Sequence, residues 1–169
     1  WLESKGVRTG DVVALWMKNS PAFLDLVFAA SHRGAVILPL NYRLAPAEIA
    51  YITTDAGAKL LIVDEEYADL ALPLAGQTVH EVVILSPGAS VEIRQLVGDR
   101  LGPAQAIPSA PGDLMRLVYT SGTTSRPKGV MHAYDQFYWK HLSMIGPLDL
   151  SAQTRLLTVG PLYHVGGLE

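Results

Sequence analysis

The chain has 169 residues, of which 49% are hydrophobic and 17% are charged. This composition excludes an intrinsically disordered chain and is typical of one globular domain or of part of a larger one. There is no cysteine, which excludes disulfides, thiolate metal sites and a cysteine nucleophile. The net charge of -3 provides no basic surface for a phosphate backbone, and we therefore expect no nucleic-acid partner.

The two most apolar stretches, 23–30 and 35–40, are each much shorter than the ~20 residues that a membrane span requires. The first residues also lack a basic segment that leads into an apolar one. We therefore expect a cytoplasmic protein without a transmembrane segment or a secretory signal. The chain starts without Met and stops directly after a double glycine, so we expect both ends to be cuts in a longer protein.

In the first half of the chain, short apolar runs alternate with segments of helical period. We predict strands over 12–17, 36–40, 60–63 and 82–85. We predict helices between them, one from Pro21 with Ser20 as its N-cap and Gly34 as its stop, one from Pro46 to Gly57, and one over 65–72. This alternation predicts an α/β fold with a mainly parallel sheet and helices on both faces.

Turn-forming residues interrupt this pattern between 86 and 112, which hold four prolines and one candidate short helix at 90–97. Order resumes with a predicted strand over 114–119, a polar loop, a helix over 134–145 and a last strand over 155–159. We therefore divide the chain into a βα portion at 1–85, a connecting region at 86–112, and a portion at 113–169 that contains the candidate site.

A polar loop follows the predicted strand at 114–119, and the segment 119–130 reads YTSGTTSRPKGV. Residues 120–125 are all Gly, Ser or Thr, which offer closely spaced backbone N–H groups and hydroxyls, while Arg126 and Lys128 add positive charge. Such a loop after a buried strand can wrap an anion, although Ser/Thr/Gly loops also occur as solvated turns.

Two familiar motifs do not fit this segment. A Walker A loop would need its second glycine where Pro127 stands and its magnesium-binding hydroxyl where Gly129 stands. A nucleophile elbow around Ser121 would need glycine at Tyr119 and Thr123. Both a Walker-type nucleoside triphosphatase and a serine hydrolase with a nucleophile elbow are therefore disfavoured.

The segment 119–130 resembles the phosphate-binding signature of the adenylate-forming superfamily, usually written YTSGTTGxPKGV. A second stretch, PLYHVGGL at 161–168, resembles the next motif of that family, and 7–14 and 34–41 resemble the N-terminal part of acyl-CoA synthetases. The resemblance covers the whole chain and implies part of the large N-terminal domain of an acyl-CoA synthetase-like fold. Ser125 departs from the more usual Gly, which we interpret as a subfamily mark, and Tyr134 stands where many members carry His.

The resemblance implies an ATP-dependent acyl-CoA ligase, which activates a carboxylic acid as acyl-AMP, releases pyrophosphate and transfers the acyl group to CoA. The implied cofactors are ATP, Mg and CoA, and the implied partners are a small-molecule carboxylic acid and CoA. A hydroxyl of Thr120 or Thr123 would lie near the magnesium. The residues implied to bind the ATP phosphates are Thr120, Ser121, Gly122, Thr123, Thr124, Ser125, Arg126 and Lys128.

The second motif implies an acyl pocket bordered by Tyr163, His164, Gly166 and Gly167, with Gly167 leaving space for the acyl chain. His164 is not expected to act as a base, because a carboxylate nucleophile is already ionised at neutral pH. Fatty acids and aromatic acids are both open as substrates. A role in fatty acid metabolism is thus one of the implied options.

The family's acidic magnesium ligand and C-terminal catalytic lysine would lie beyond Glu169, so the chain alone holds no complete catalytic set and is expected to be inactive. A non-catalytic nucleotide-binding or interaction module with the same fold is the alternative. We also expect the fragment to associate with itself, since its sheet would normally pack against elements encoded later.

Overall fold

A computed structural model describes residues 1–86, 105–120 and 126–168. The strands are β1 (Val12–Trp16), β2 (Val36–Pro39), β3 (Ala58–Asp64), β4 (Glu81–Leu85), β5 (Leu114–Thr120) and β6 (Lys128–Ala133). The helices are α1 (Pro21–His32), α2 (Pro46–Asp55), α3 (Ala68–Ala71), α4 (Tyr134–Ile145) and α5 (Val165–Leu168).

The strands form one six-stranded sheet in the order β4-β3-β1-β2-β5-β6. Strands β1 to β5 pair in parallel, and only the edge strand β6 runs antiparallel, against β5. The expectation of an α/β fold with a mainly parallel sheet is confirmed. Because β1, β2 and β5 are parallel neighbours, their carboxyl ends lie at the same edge of the sheet.

Both faces of the sheet are covered, which confirms helices on both sides. Residues of α1 pack with Val13 and Leu15 on one face, while residues of α2 and α3 pack with Ala14 and Trp16 on the other. All five residues of β1 are buried. This explains why the central strands read as continuous apolar runs and do not alternate with polar residues.

Helix α1 starts as its sequence predicts. The Ser20 hydroxyl accepts a hydrogen bond from the Phe23 N–H at 3.2 Å, and Pro21 occupies the first turn, where no helical partner is needed for its missing N–H. After the helix, Gly34 adopts a φ of 62°, a left-handed conformation that costs glycine little. The chain thereby turns directly into β2.

Two local predictions in this part of the chain differ from the structure. The predicted helix over 65–72 is broken into a 3-10 turn at Glu65–Tyr67, the single turn α3, and a 3-10 turn at Leu72–Leu74, where Pro73 lacks the N–H that a continuing helix needs. The polar loop leads into β6 before the helix α4 begins. The candidate helix at 90–97 lies outside the described residues.

The predicted last strand at 155–159 is wrong: this segment has no regular secondary structure and pairs with no strand of the described chain. Its Leu156 and Leu157 side chains are 78% and 87% exposed. An apolar run becomes a strand only when a neighbouring strand pairs with its backbone groups, and in the described sheet neither edge strand, β4 or β6, pairs with this segment.

The N-cap of α1 provides a test of this architecture. We expect Ser20→Ala to lower the free energy of unfolding by about 1 kcal/mol, because the Phe23 N–H loses its acceptor. Chemical denaturation of the two proteins measures the difference. Ser20→Asp retains an acceptor oxygen and should stay close to the original stability, and an equal loss in both variants would contradict the capping role.

Candidate functional site

The two ends of the candidate phosphate segment lie side by side. Thr120, the last residue of β5, is the direct partner of Lys128, the first residue of β6. The segment between them is therefore a hairpin connection, and the expectation of a strand-to-helix loop is wrong. Five of the residues implied to bind phosphate lie outside the described part of the chain: Ser121, Gly122, Thr123, Thr124 and Ser125.

The cations that flank this connection reach the solvent. The side chains of Arg126 and Lys128 are exposed, and the Arg126 guanidinium lies 5.6 Å from the centre of the Tyr51 ring. Exposed cations at the start of β6 raise the local concentration of anions near the β5–β6 connection. This part of the site is therefore suited to a charged group such as a phosphate.

A cavity of about 250 Å³ opens beyond the carboxyl ends of β2 and β5. It contains residues from both sequence motifs, since Thr120 lines it together with Tyr163 and His164. Open α/β sheets place ligands in this position. The remaining lining residues are Pro39, Leu40, Asn41, Leu44, Glu48, Ile52, Val118, Tyr119 and Pro127.

The second motif is fixed to the end of β1 by one side chain. The Asn19 Oδ1 accepts a hydrogen bond from the Leu162 N–H at 2.8 Å, and its Nδ2 donates to the Gly160 carbonyl at 2.9 Å. Leu162 itself is buried in the core beneath α1. The Tyr163 and Tyr42 rings meet in a T-shaped arrangement with their centroids 5.3 Å apart, and Tyr163 lines the cavity.

The three remaining residues of this motif have different surroundings. A side chain on the buried Gly167 would overlap the Pro161 carbonyl oxygen, so this glycine allows two backbone segments to touch. The expectation that Gly167 leaves space for the acyl chain is therefore wrong, because the Pro161 backbone fills that space. His164 is exposed, and its Nδ1 accepts a hydrogen bond from the Gly166 N–H at 3.3 Å. The proton of a neutral His164 therefore lies on Nε2.

Tyr134, which departs from the family pattern, and the nearby His132 make contacts of their own. The Tyr134 hydroxyl lies 3.1 Å from the Ser31 hydroxyl of α1. Arg116, a buried residue of β5, donates from its guanidinium to His132 Nδ1 at 3.1 Å, so this nitrogen is unprotonated. Neither Tyr134 nor His132 lines the cavity.

Burial sets the charge states in this pair. It lowers the pKa of Arg116 to about 10, which leaves the guanidinium charged at neutral pH, 4.7 Å from the Phe137 ring. Burial, with the positive charges of Arg116 and Lys140, also lowers the pKa of His132. His132 is therefore neutral under physiological conditions and serves as an acceptor within the β5–β6 hairpin.

The described residues contain no group of three or more His, Asp or Glu side chains that could hold a metal ion. Of the two hydroxyls proposed to approach magnesium, only that of Thr120 is described, and it lies at the cavity. A magnesium ion prefers six oxygen ligands, so one hydroxyl could be only a small part of its shell.

Sequence reasoning missed Asn19, which holds the second motif in place, and two polar residues of the cavity lining, Asn41 and Glu48. Asn19, Asn41 and Glu48 follow strands β1 and β2 but belong to neither motif. Their position in the sequence could have revealed them, because polar residues just after parallel strands lie at the carboxyl ends of the strands, where ligands bind.

The whole chain, residues 1–169, matches the family model described as AMP-binding enzyme. It is 35% identical to a feruloyl-CoA synthase of Amycolatopsis sp. over 99% of the chain and 32% of that protein. It is 30% identical to a long-chain-fatty-acid–CoA ligase of Mycobacterium tuberculosis over 99% of the chain and 33% of that protein.

Solved structures show the same relationship. The ATP-bound MatB from Rhodopseudomonas palustris has a TM-score of 0.88 and 31% identity, with 99% of this chain and 33% of that chain covered. The inhibitor-bound N-terminal domain of FACL13 from Mycobacterium tuberculosis has a TM-score of 0.81 and 33% identity, with 99% of this chain and 42% of that chain covered.

The chain therefore belongs to the AMP-binding enzyme family. It spans about a third of the length of the curated relatives that it matches. Among the described residues, no helix is both long and apolar enough to cross a membrane.

The Asn19 contacts predict a local effect that can be measured. In Asn19→Ala the Leu162 N–H loses its acceptor, so we expect hydrogen exchange of this amide to accelerate by about tenfold or more. The Val13 amide in the core should exchange as before.

Asn41→Ala is the matched control, because the Asn41 side chain accepts only a local hydrogen bond from the Arg43 N–H among the bonds described here. It should leave Leu162 exchange unchanged. If Leu162 remains equally protected in Asn19→Ala, then Asn19 does not anchor the second motif.

Proposed function

We propose that the protein containing this chain activates a carboxylic acid with ATP and then transfers the acyl group to CoA. The observation that carries this proposal is that one cavity is lined both by Thr120 of the first motif and by Tyr163 and His164 of the second. Its support is the family membership and the names of the relatives, which are CoA ligases with different acids. We further propose that 1–85 and 113–169 are portions of one N-terminal domain joined by 86–112.

In the first step, a carboxylate oxygen of the acid attacks the α-phosphorus of ATP. The bond from that phosphorus to the bridging oxygen breaks, pyrophosphate leaves, and acyl-AMP remains. The leaving group gains negative charge, so cations and N–H or O–H donors fixed beside it lower the barrier. We assign this role to the segment 120–128, with Lys128 as a point charge and Thr120 as a hydroxyl donor.

The acid would enter from the side of the second motif. We propose that Tyr163, His164, Gly166 and Gly167 border its acyl group, and that cavity residues such as Leu40 and Ile52 contact its apolar part. The acid is already ionised, so His164 has no proton to remove. In the second step the CoA thiol attacks the acyl carbon and AMP departs.

Magnesium would screen the charges of the triphosphate in this reaction. The Thr120 hydroxyl, or that of Thr123, would supply one ligand, and the phosphates, water and residues outside this chain would supply the others. Since the chain spans only a third of its relatives, we assign the activity to the whole protein and expect the chain alone to be inactive.

This proposal predicts that the full-length protein releases pyrophosphate from ATP only when a carboxylic acid is supplied. A coupled pyrophosphate assay with a panel of aromatic and fatty acids measures the effect. Hydrolysis of ATP to ADP and phosphate without any acid would contradict the ligase assignment. Binding of ATP without pyrophosphate release for any acid would favour the non-catalytic module.

In the same assay we expect Lys128→Ala to lower the rate of adenylation by about 10- to 1000-fold, the range for the loss of one charge-stabilising donor. Lys5→Ala is the matched control, because Lys5 pairs with Glu81 at the start of β4, at the opposite edge of the sheet. An unchanged rate in Lys128→Ala would remove this residue from the site.

We also propose that the isolated chain associates with itself. Large apolar side chains are exposed on β6, on α4 and in the segment after it, and contiguous apolar surface is rarely left bare in soluble monomers. The exposed apolar side chains include Met131, Tyr138, Trp139, Leu156, Leu157 and Val159.

Light scattering of the isolated chain tests this proposal. We expect dimers or larger species, with binding of an apolar dye that decreases as the chain associates. The double variant Leu156→Ser and Leu157→Ser should shift the population towards monomer. A monomer that binds no dye would contradict the proposal.

A further inference from the structure

Helix α2 contacts both flanks of the candidate phosphate segment. On the side of β5, the Tyr119 hydroxyl donates a hydrogen bond to Asp55 Oδ2 at 2.6 Å. On the side of β6, the Arg126 guanidinium lies 5.6 Å from the Tyr51 ring centre, within the range of a cation–π contact. Tyr51 and Asp55 are four residues apart and therefore share one face of the helix.

The Tyr119 ring packs against β6 at a position where the strand has no side chain. Tyr119 pairs with Gly129 in the β5–β6 ladder. A Cβ at position 129 would lie 3.0 Å from the Cε2 and Cζ atoms of the Tyr119 ring. Gly129 does not have a positive φ, so its contribution here is the space that it leaves and not an unusual conformation. The ring can therefore lie against the strand and reach α2.

The Tyr119–Asp55 hydrogen bond is of a strong type. Its acceptor is an ionised carboxylate, and such bonds are shorter and stronger than those between neutral groups. Burial raises the pKa of the Tyr119 hydroxyl, and the hydrogen bond to Asp55 raises it further. The phenol therefore keeps its proton at neutral pH and remains the donor in this bond.

We propose that Tyr51 and Asp55 of α2 are positioning residues for Thr120 and Arg126, the described residues near the two ends of the candidate phosphate segment, and thereby set the affinity for the triphosphate of ATP. Asp55 acts through Tyr119, the neighbour of Thr120, and Tyr51 acts through Arg126. Neither residue belongs to the two sequence motifs. This inference rests on the proposed function, because it concerns the nucleotide half of the same site.

The test uses the full-length protein and measures the KM for ATP, the KM for the acid, and the dissociation constant of ATP. We expect Asp55→Ala and Tyr119→Phe each to raise the KM and dissociation constant for ATP by about threefold to tenfold, the effect of one hydrogen bond. The KM for the acid should change less than twofold. The double variant should be no worse than either single variant, because both remove the same bond.

Conservative variants separate positioning from general destabilisation. Asp55→Asn retains a carbonyl acceptor and should recover most of the ATP affinity. Tyr51→Phe retains the ring face for Arg126 and should resemble the original protein, whereas Tyr51→Leu should weaken ATP binding. Asp25→Ala is the matched control, because Asp25 is an exposed carboxylate on α1, at the other face of the sheet.

The outcomes distinguish this inference from the proposed function. If the protein forms acyl-AMP but Asp55→Ala and Tyr119→Phe leave ATP affinity unchanged, or raise both KM values equally, positioning by α2 is wrong and the ligase assignment stands. If the protein binds ATP without acid-dependent pyrophosphate release and the variants weaken that binding, positioning stands and the ligase assignment fails. A protein that does not bind ATP would overturn both.

Discussion

The parallel pairing of β1, β2 and β5 is the constraint on which the candidate site depends. It places three carboxyl ends at one edge of the sheet, although they are far apart along the chain. The end of β1 leads to Asn19, the end of β2 borders the cavity, and the end of β5 is Thr120. Burial of β1 and β2 along their whole length, and of the middle of β5, provides the rigid support that a phosphate segment and an acyl pocket require.

Polar contacts then fix the two motifs to this support. Apolar packing alone would specify the position of a surface segment poorly, because it is not directional. The Asn19 amide holds the backbone of the second motif at Gly160 and Leu162. The Asp55 carboxylate holds Tyr119 beside the first. One side chain from the end of β1 and one from α2 thus orient two segments that meet at the cavity.

The sequence predicted features that depend on local chemistry. The start of α1 follows from Ser20 and Pro21, and the bounds of α4 from its helical period. Strand β6 was missed because it is largely exposed and contains Lys128 and Gly129, which are uncommon in strands. The segment 155–159 was misassigned because its apolar run is typical of a strand, whereas strand formation depends on a partner that the pattern does not reveal. Contacts such as those of Asn19 join residues more than a hundred positions apart, and no local pattern encodes them.

The central claim is that the two motifs form one site for ATP and an acid, and a crystal structure of the full-length protein with bound ATP tests it most directly. We expect phosphate oxygens within hydrogen-bond distance of the Thr120 hydroxyl and the Lys128 Nζ, with the α-phosphate facing the cavity beside Tyr163 and His164. A triphosphate bound away from the 120–128 segment, with this edge of the sheet empty, would contradict the account.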